Sequence, residues 1–144
     1  MAETRTGGCL CGAVRYESTG EPGFSLQCHC RDCQRSSGTA FIAAMRVPAD
    51  GFRITRGEPS RYVKKSDAGN EVTRLFCGRC GSPVCIRVST RPDIVGLRVG
   101  TLDDPSVFRP EANIFVKSAQ PWLHLDPNLP RHDTYPPGRS YARV

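Results

Sequence analysis

The sequence predicts a mainly β, single-domain fold that is held together by metal ions. Short segments alternate apolar and polar residues, as half-buried strands do. The 14 Gly and 12 Pro residues favour many short elements joined by turns over long helices. All but one of the eight cysteines lie in three tight clusters, each soon followed by glycine. At 144 residues the chain can bury one ordinary core.

The elements follow in order along the chain. Residues 1–8 are polar, and we expect them to be frayed. A short helical turn is expected at 31–37, ending at Gly38, and a single turn at 103–106. The apolar run 39–47 is predicted as a buried strand, although a short helix also fits it. Strands are predicted at 13–18, 24–28, 39–47, 52–55, 60–65, 71–76, 83–88, 94–99 and 113–117.

Composition narrows the class of protein. No apolar run has the length of a membrane span, and the first residues lack the apolar stretch of a secretory signal. We therefore expect a cytoplasmic protein without membrane contact, in which the cysteines serve metal binding or catalysis rather than disulfides. The formal net charge is +6. Seven thiolates and two zinc ions would bring it to about +3, which argues against nucleic acid as a partner.

The first cysteine set predicts a closed structural zinc site. Cys9 and Cys11 form a C-x-C pair, and Cys77 and Cys80 form a C-x-x-C pair. Four thiolates complete the tetrahedron that zinc prefers. Such a site would tie the start of the chain to its middle and leave no position for a substrate.

The second set, Cys28, Cys30 and Cys33, supplies only three ligands for a second zinc. Three protein ligands leave a position for water or substrate, which is typical of reactive sites. The alternative is a closed site in which a distant residue is the fourth ligand. Its candidates are Cys85, His124 and His132. An iron–sulfur cluster is a further alternative, but the C-x-C pairs with flanking glycines fit zinc better.

Several neighbours of these clusters are weaker signals. His29 lies between two ligands, so we expect its side chain to point away from the metal. Arg31, Arg35 and Arg46 flank the central cluster and could meet the carboxylates of an anionic substrate. We expect Cys85 to be a buried free thiol and Trp122, in the proline-rich tail, to pack against the core. We therefore interpret both residues as structural.

The cysteine motifs, taken together, point to a known family. They are Gly8-Cys9-x-Cys11-Gly12-x-Val14-x-Tyr16, Cys28-His29-Cys30-x-x-Cys33-x-x-x-x-Gly38 and Phe76-Cys77-x-x-Cys80-Gly81-x-Pro83. This pattern resembles the glutathione-dependent formaldehyde-activating enzyme family, which also includes the centromere protein V group. Ile114-Phe115-Val116-Lys117-Ser118, Pro121-Trp122 and Leu129-Pro130 resemble its C-terminal part.

The resemblance implies a Mss4-like zinc-stapled β fold with two zinc ions. It implies one domain over residues 1–144, with a core at about 5–130 and an irregular tail at 119–144. The implied activity is that of a carbon–sulfur lyase, S-(hydroxymethyl)glutathione synthase-like, with glutathione as co-substrate and formaldehyde or another small aldehyde as partner. Asn113 departs from the pattern, since we expect histidine there in many relatives.

The resemblance also implies separate roles for the cysteines and the arginines of the second site. Zinc at Cys28, Cys30 and Cys33, the predicted catalytic residues, would hold the incoming thiol as thiolate or polarise the carbonyl. Arg31 and Arg35 would bind the carboxylates of the thiol carrier.

Two other classes of function stay open from the sequence. One is a non-catalytic, zinc-stabilised binding module, although the scattered basic residues and few aromatics argue against nucleic acid. The other is a redox sensor that uses the three-cysteine site as its reactive group. The sequence also leaves open a homo-oligomer.

Overall fold

Two β-sheets and one short helix make up the computed structural model, which describes residues 2–136. The described elements are β1 (Thr4–Gly8), β2 (Arg15–Thr19), β3 (Ser25–Cys28), α1 (Arg31–Ser37), β4 (Ile42–Pro48), β5 (Phe52–Arg56), β6 (Ser60–Lys65), β7 (Glu71–Phe76), β8 (Pro83–Val88), β9 (Ile94–Arg98) and β10 (Ala112–Ile114). The larger sheet has the order β10-β3-β4-β9-β8-β7-β6, and the smaller has the order β1-β2-β5. Neighbours are antiparallel, except that β10 runs parallel to β3.

The mainly β fold predicted from the sequence is confirmed. Strands β6, β7 and β8 have the predicted bounds, because their alternating patterns are bounded by clear turn residues. The run 39–47 is the strand β4 rather than a helix. The predicted helical turn is α1, and Gly38 ends it in the left-handed conformation at φ 72°. Near 103–106 a 3-10 turn spans Pro105–Val107.

The prediction of a frayed start is wrong, because residues 4–8 form β1 and pair with the whole of β2. Glycine makes this strand possible. A Cβ on Gly7 would lie 2.4 Å from both the Thr101 carbonyl oxygen and the Tyr16 hydroxyl. The close approach buries Tyr16, whose hydroxyl lies 2.9 Å from Thr101 Oγ1. The polar, glycine-rich composition that suggested disorder therefore serves backbone packing.

The main core lies between the two sheets. Tyr16 and Phe52 of the smaller sheet pack their rings 5.4 Å apart. They face buried side chains from the central strands of the larger sheet. These include Met45, Val47, Leu75, Cys85, Val95 and Leu97. One face of the seven-stranded sheet is thus covered by the three-stranded sheet.

The other face of the larger sheet carries the features that matter for function. Opposed residues in neighbouring strands project from the same face. Arg98 is opposite Ala44, and Ile86 is opposite both Gly96 and Arg74. Helix α1 covers this face at β3 and β4, where Cys33 packs with neighbours such as Ala44. Arginine side chains from β4, β7 and β9 therefore lie on the same face as α1.

The C-terminal part of the described chain differs from expectation in two places. Strand β10 ends at Ile114 instead of continuing to 117, because Phe115 has φ 56° and the chain then enters a 3-10 turn at Val116–Ser118. Trp122 does not pack, since 72% of its surface is exposed. The tail predicted at 119–144 is described to residue 136, and 137–144 lie outside the described residues.

Helices in the described part are short. None of them, over residues 2–136, combines the length and the apolar character that crossing a bilayer requires.

Candidate metal centres and the adjoining cavities

The four-cysteine set comes together from two loops. Cys9 and Cys11 lie between β1 and β2, whereas Cys77 and Cys80 lie between β7 and β8. The two loops meet where the Leu10 amide donates a 3.0 Å hydrogen bond to the Ser82 hydroxyl. All four sulfur atoms lie within 4.8 Å of one another.

The spacing of these sulfurs fits a zinc ion. The Cys9 and Cys11 sulfurs are 3.7 Å apart, and those of Cys11 and Cys77 are 3.8 Å apart. A tetrahedron with Zn–S bonds of ~2.3 Å has edges of ~3.8 Å. Four thiolates are also a donor set that zinc prefers, so the residues present fit the metal.

Backbone and hydroxyl groups around this site favour thiolates. The Val14 amide donates to Cys9 Sγ at 3.2 Å, and the Cys80 amide donates to Cys77 Sγ at 3.5 Å. The Ser82 hydroxyl lies 3.2 Å from Cys80 Sγ and is the largest cause of a Cys80 pKa lowered to about 5. Such deprotonated sulfurs are the form that binds metal.

The three-cysteine set lies at the junction of β3 and α1. Cys28 ends the strand, Cys30 caps the helix, and Cys33 is in its first turn. Their sulfurs lie within 4.8 Å of one another. The Cys33 amide donates to Cys30 Sγ at 3.3 Å. Hydrogen bonds from the Cys28 and Cys33 thiols lower the pKa of Cys30 to about 2, so one thiolate is stable at neutral pH. These donors also fit zinc, with three ligands.

Within residues 2–136 no fourth ligand joins this cluster. His29 is fully buried, and its Nε2 donates to Asn113 Oδ1 at 2.8 Å, as expected for a side chain turned from the metal. Cys85 is a buried free thiol as predicted, with its pKa raised to about 11 by burial. His124 and His132 also lie outside the cluster. The structure thus brings the three predicted cysteines together, and none of the candidates for a fourth ligand lies with them.

Gln34 fixes the loop that carries these cysteines, and the sequence analysis missed it. Its Nε2 donates to the carbonyl oxygens of His29 at 2.6 Å and Ser118 at 2.9 Å. Its Oε1 accepts hydrogen bonds from Gln120 at 2.9 Å and from Arg31. A glutamine in a short helix gives no sequence signal for such a role, because its partners lie far away in the chain.

A small cavity adjoins the three-cysteine cluster, and a larger cavity lies next to the small one. The first, of about 30 Å³, is lined by Cys28, Cys33, Arg46, Arg91 and Arg98, among others. The second, of about 310 Å³, is lined by residues that include Ser36, Tyr62, Arg74, Phe76, Ile86 and Arg98. Because Ile86 and Arg98 line both, the cavities are neighbours. The larger one has the size of a small-molecule site, typically ~300 Å³ or more.

The arginines that line the two cavities are mostly not the ones that the sequence predicted to flank the site. Arg31 and Arg35 are exposed on α1 and do not line either cavity. Their predicted contact with substrate carboxylates stays a prediction. Arg46 is buried, with its guanidinium 5.5 Å from the centre of the Phe24 ring. The sequence analysis missed Arg74 and Arg98, which strand pairing brings to this face, and Arg91 in the turn between β8 and β9.

Comparison with known proteins agrees with the motifs. A crystal structure of a Rhodobacter sphaeroides protein is similar at 24% identity and a TM-score of 0.55, over 68% of this chain and 87% of that chain. This likeness concerns the fold. The profile of the family described as glutathione-dependent formaldehyde-activating enzyme matches residues 4–118, which include all eight cysteines. The chain therefore belongs to the glutathione-dependent formaldehyde-activating enzyme family.

Proposed function

We propose that the chain is a zinc-dependent carbon–sulfur lyase that joins glutathione, or a related small thiol, to formaldehyde or another small aldehyde. One observation carries the proposal: Cys28, Cys30 and Cys33 form a three-ligand cluster, and two of these cysteines line a cavity. Family membership supports the same chemistry. In this proposal Cys9, Cys11, Cys77 and Cys80 hold a second, structural zinc.

The reaction is an addition and needs no oxidant or reductant. The thiol sulfur forms a bond to the carbonyl carbon while the carbon–oxygen π bond breaks. The thiol proton ends on the new hydroxyl oxygen, giving S-hydroxymethylglutathione when the partners are glutathione and formaldehyde. The reverse reaction breaks the carbon–sulfur bond and is the lyase direction.

Cys28, Cys30 and Cys33 would hold the zinc ion, which would lower the pKa of an external thiol and polarise a carbonyl oxygen. The protein itself supplies order and charge around that centre. The bonds of Gln34 to His29 and Ser118 hold the cysteine loop in place. Arg98 adds positive charge beside Cys28 and Cys33, which favours a thiolate there. Apolar side chains such as Leu26 and Ile86 line the cavity beside the arginines.

We also propose a cytoplasmic location. All eight cysteines are free, and all lie in the part of the chain that the structure describes. Thiolate clusters that must bind metal need a reducing compartment, in which disulfides are rare.

The test combines binding with chemistry. We would replace zinc by cobalt and record the visible spectrum before and after adding glutathione, then follow formation of the adduct from ¹³C-formaldehyde by NMR. We expect the spectrum to shift and adduct formation to accelerate, and both effects to vanish in Cys30→Ser. An unchanged spectrum with two cobalt ions per chain, and an uncatalysed rate of adduct formation, would reject the enzyme in favour of a metal-stabilised binding module.

A further inference from the structure

We infer that Arg98 and Arg74 bind a carboxylate of the substrate, so that the thiol used in the proposed reaction is one that carries a carboxylate. This inference rests on the proposed function, and it names the residues that select the substrate. The two side chains project from β9 and β7 on the face that holds the three-cysteine cluster.

Arg98 is a buried cation without an acidic partner. It is 6% exposed, and within residues 2–136 no carboxylate forms an ion pair with it. Arg91, which also lines the smaller cavity, behaves differently, since it pairs with Asp93 at 2.6 Å. Burying a charge without a counter-ion is costly, so a site of this kind favours an incoming anion.

Arg74 is a half-buried arginine on β7, which is separated from β9 by β8. Its Nε is buried and has no hydrogen-bond partner in the described residues, and no carboxylate there forms an ion pair with its guanidinium. Arg74 lines the larger cavity together with Arg98. Two guanidinium groups at one cavity wall can bind a carboxylate through several charge-assisted hydrogen bonds.

The pair is also well placed for the reaction. Arg98 lines the smaller cavity together with Cys28 and Cys33, and it lines the larger cavity together with Arg74. Apolar side chains such as Phe76, Pro83 and Ile86 line the larger cavity beside the two arginines. A small molecule could thus place its carboxylate at the arginines, its carbon chain on the apolar wall and its thiol at the cysteines.

The arginines could have a different role, namely to neutralise the negative charge of the zinc–thiolate centre. Three thiolates with one zinc ion carry a charge of about −1, and the arginines could simply neutralise it. One arginine balances that charge, and a second would balance the substrate thiolate. Arg74, Arg98 and Arg46, which also lines the smaller cavity, together supply three positive charges. The surplus of positive charge is what favours a second anion, namely the substrate carboxylate.

The test compares glutathione with its diethyl ester, which differs from it only in the carboxyl groups, and with mercaptoacetate, a minimal thiol that carries a carboxylate. Isothermal titration calorimetry on the zinc-loaded protein would measure the Kd of glutathione, of glutathione diethyl ester and of mercaptoacetate. We expect the ester to bind the wild type about 10- to 100-fold more weakly than glutathione does. Arg98→Gln and Arg74→Gln should each weaken glutathione by about 10-fold or more and leave the ester nearly unchanged. The control is Arg61→Gln, an exposed arginine on β6 opposite Leu75 rather than Arg74.

The outcomes separate this inference from the proposed function. Equal binding of glutathione and its ester by the wild type overturns the inference without any substitution, so a variant that fails to fold does not block the test. Glutathione binding that is unchanged in both arginine variants overturns it too, and leaves the proposed reaction standing. Lower zinc content in Arg98→Gln, with the preference for glutathione over its ester retained, assigns Arg98 to charge neutralisation instead.

Two further results would also decide whether the proposed function holds. If mercaptoacetate binds in an arginine-dependent way while glutathione neither binds nor reacts, the carboxylate site stands and glutathione is rejected as the thiol. If no thiol binds, both the inference and the proposed function fail.

Discussion

His29 shows at the scale of one residue how the fold separates a metal ligand from its neighbour. It lies between Cys28 and Cys30 in the sequence, yet its ring is buried and turned to Asn113 on β10. The Phe41 ring lies 5.3 Å from the imidazole and helps to fix it. An asparagine thus anchors the cysteine loop at a position where the family resemblance suggests histidine.

We expect Asn113→Ala to destabilise the protein by about 1–3 kcal/mol, because a buried imidazole N–H would lose its acceptor. Urea unfolding followed by fluorescence would measure the loss. Asn128→Ala is the control, since that residue is exposed in a surface turn and should change stability by less than about 0.5 kcal/mol. Equal stability of the two variants would show that the His29–Asn113 bond contributes nothing.

At the scale of an element, the turn between β5 and β6 joins the two sheets. Gly57 in this turn has φ 74°, and a Cβ there would lie 2.1 Å from the Ala13 carbonyl oxygen. Gly69, in the turn between β6 and β7, has a similar φ of 85° but has open space at the same position. A substitution at Gly69 would therefore meet only backbone strain, whereas one at Gly57 would meet backbone strain and a steric clash.

We expect Gly69→Ala to cost about 1–2 kcal/mol, the penalty for a side chain in the left-handed region. Gly57→Ala should cost a further ~1–3 kcal/mol, because the backbone at Ala13 would have to move. Thermal unfolding of the two zinc-loaded variants gives the comparison. A Gly57→Ala protein that melts together with Gly69→Ala would contradict the packing of this turn against Ala13.

The elements also show what the sequence can predict. Local patterns determine β6, β7, β8 and α1, since alternation and turn residues mark their ends. Strand β1 escaped prediction because it packs against Thr101, which is distant in sequence, as well as against Tyr16 of β2. The exposed Trp122 was mispredicted for a related reason, since a large apolar residue indicates burial only when something lies close enough to cover it.

For the whole molecule, the two cysteine sites differ in what they connect. The four-cysteine site joins the β1–β2 loop to the β7–β8 loop and so links the smaller sheet to the larger one. The three-cysteine site is confined to six consecutive residues, 28–33. Loss of a ligand should therefore have global consequences in the first site and local ones in the second.

We expect Cys77→Ser to lose zinc and most of its folded state, because structural zinc contributes ~10 kcal/mol or more to small domains. Cys30→Ser should lose one zinc ion and remain folded. Zinc content by mass spectrometry and thermal unfolding by circular dichroism would be measured for both. Cys85→Ala is the matched control, as this buried cysteine lies in neither cluster and should keep both ions.

The reverse pattern would reject this assignment of roles. A Cys77→Ser protein with unchanged melting behaviour would show that the four-cysteine site does not stabilise the domain. A Cys30→Ser protein that fails to fold would show that the three-cysteine site is structural.

The sequence predicted the cysteine clusters but not the surface beside them. Thiol spacing such as that of Cys28, Cys30 and Cys33 is a local property that can be read along the chain. Arg74 and Arg98 line one cavity because of the register of β7, β8 and β9. This register places Arg74 opposite Ile86, and Ile86 opposite Gly96, two residues before Arg98. A shift of one residue in that register would send these side chains to the opposite face.

The position of the four-cysteine site in the chain also sets an order in time. Cys11 and Cys77 are separated by 66 residues, so the two halves of the site cannot meet until most of the domain has left the ribosome. The three-cysteine site is complete as soon as α1 has emerged. During synthesis at ~5–20 residues per second, the Cys9–Cys11 pair waits for seconds as an open thiol pair. In the proposed two-zinc protein, the last metal ion to bind is thus the one that joins the two sheets.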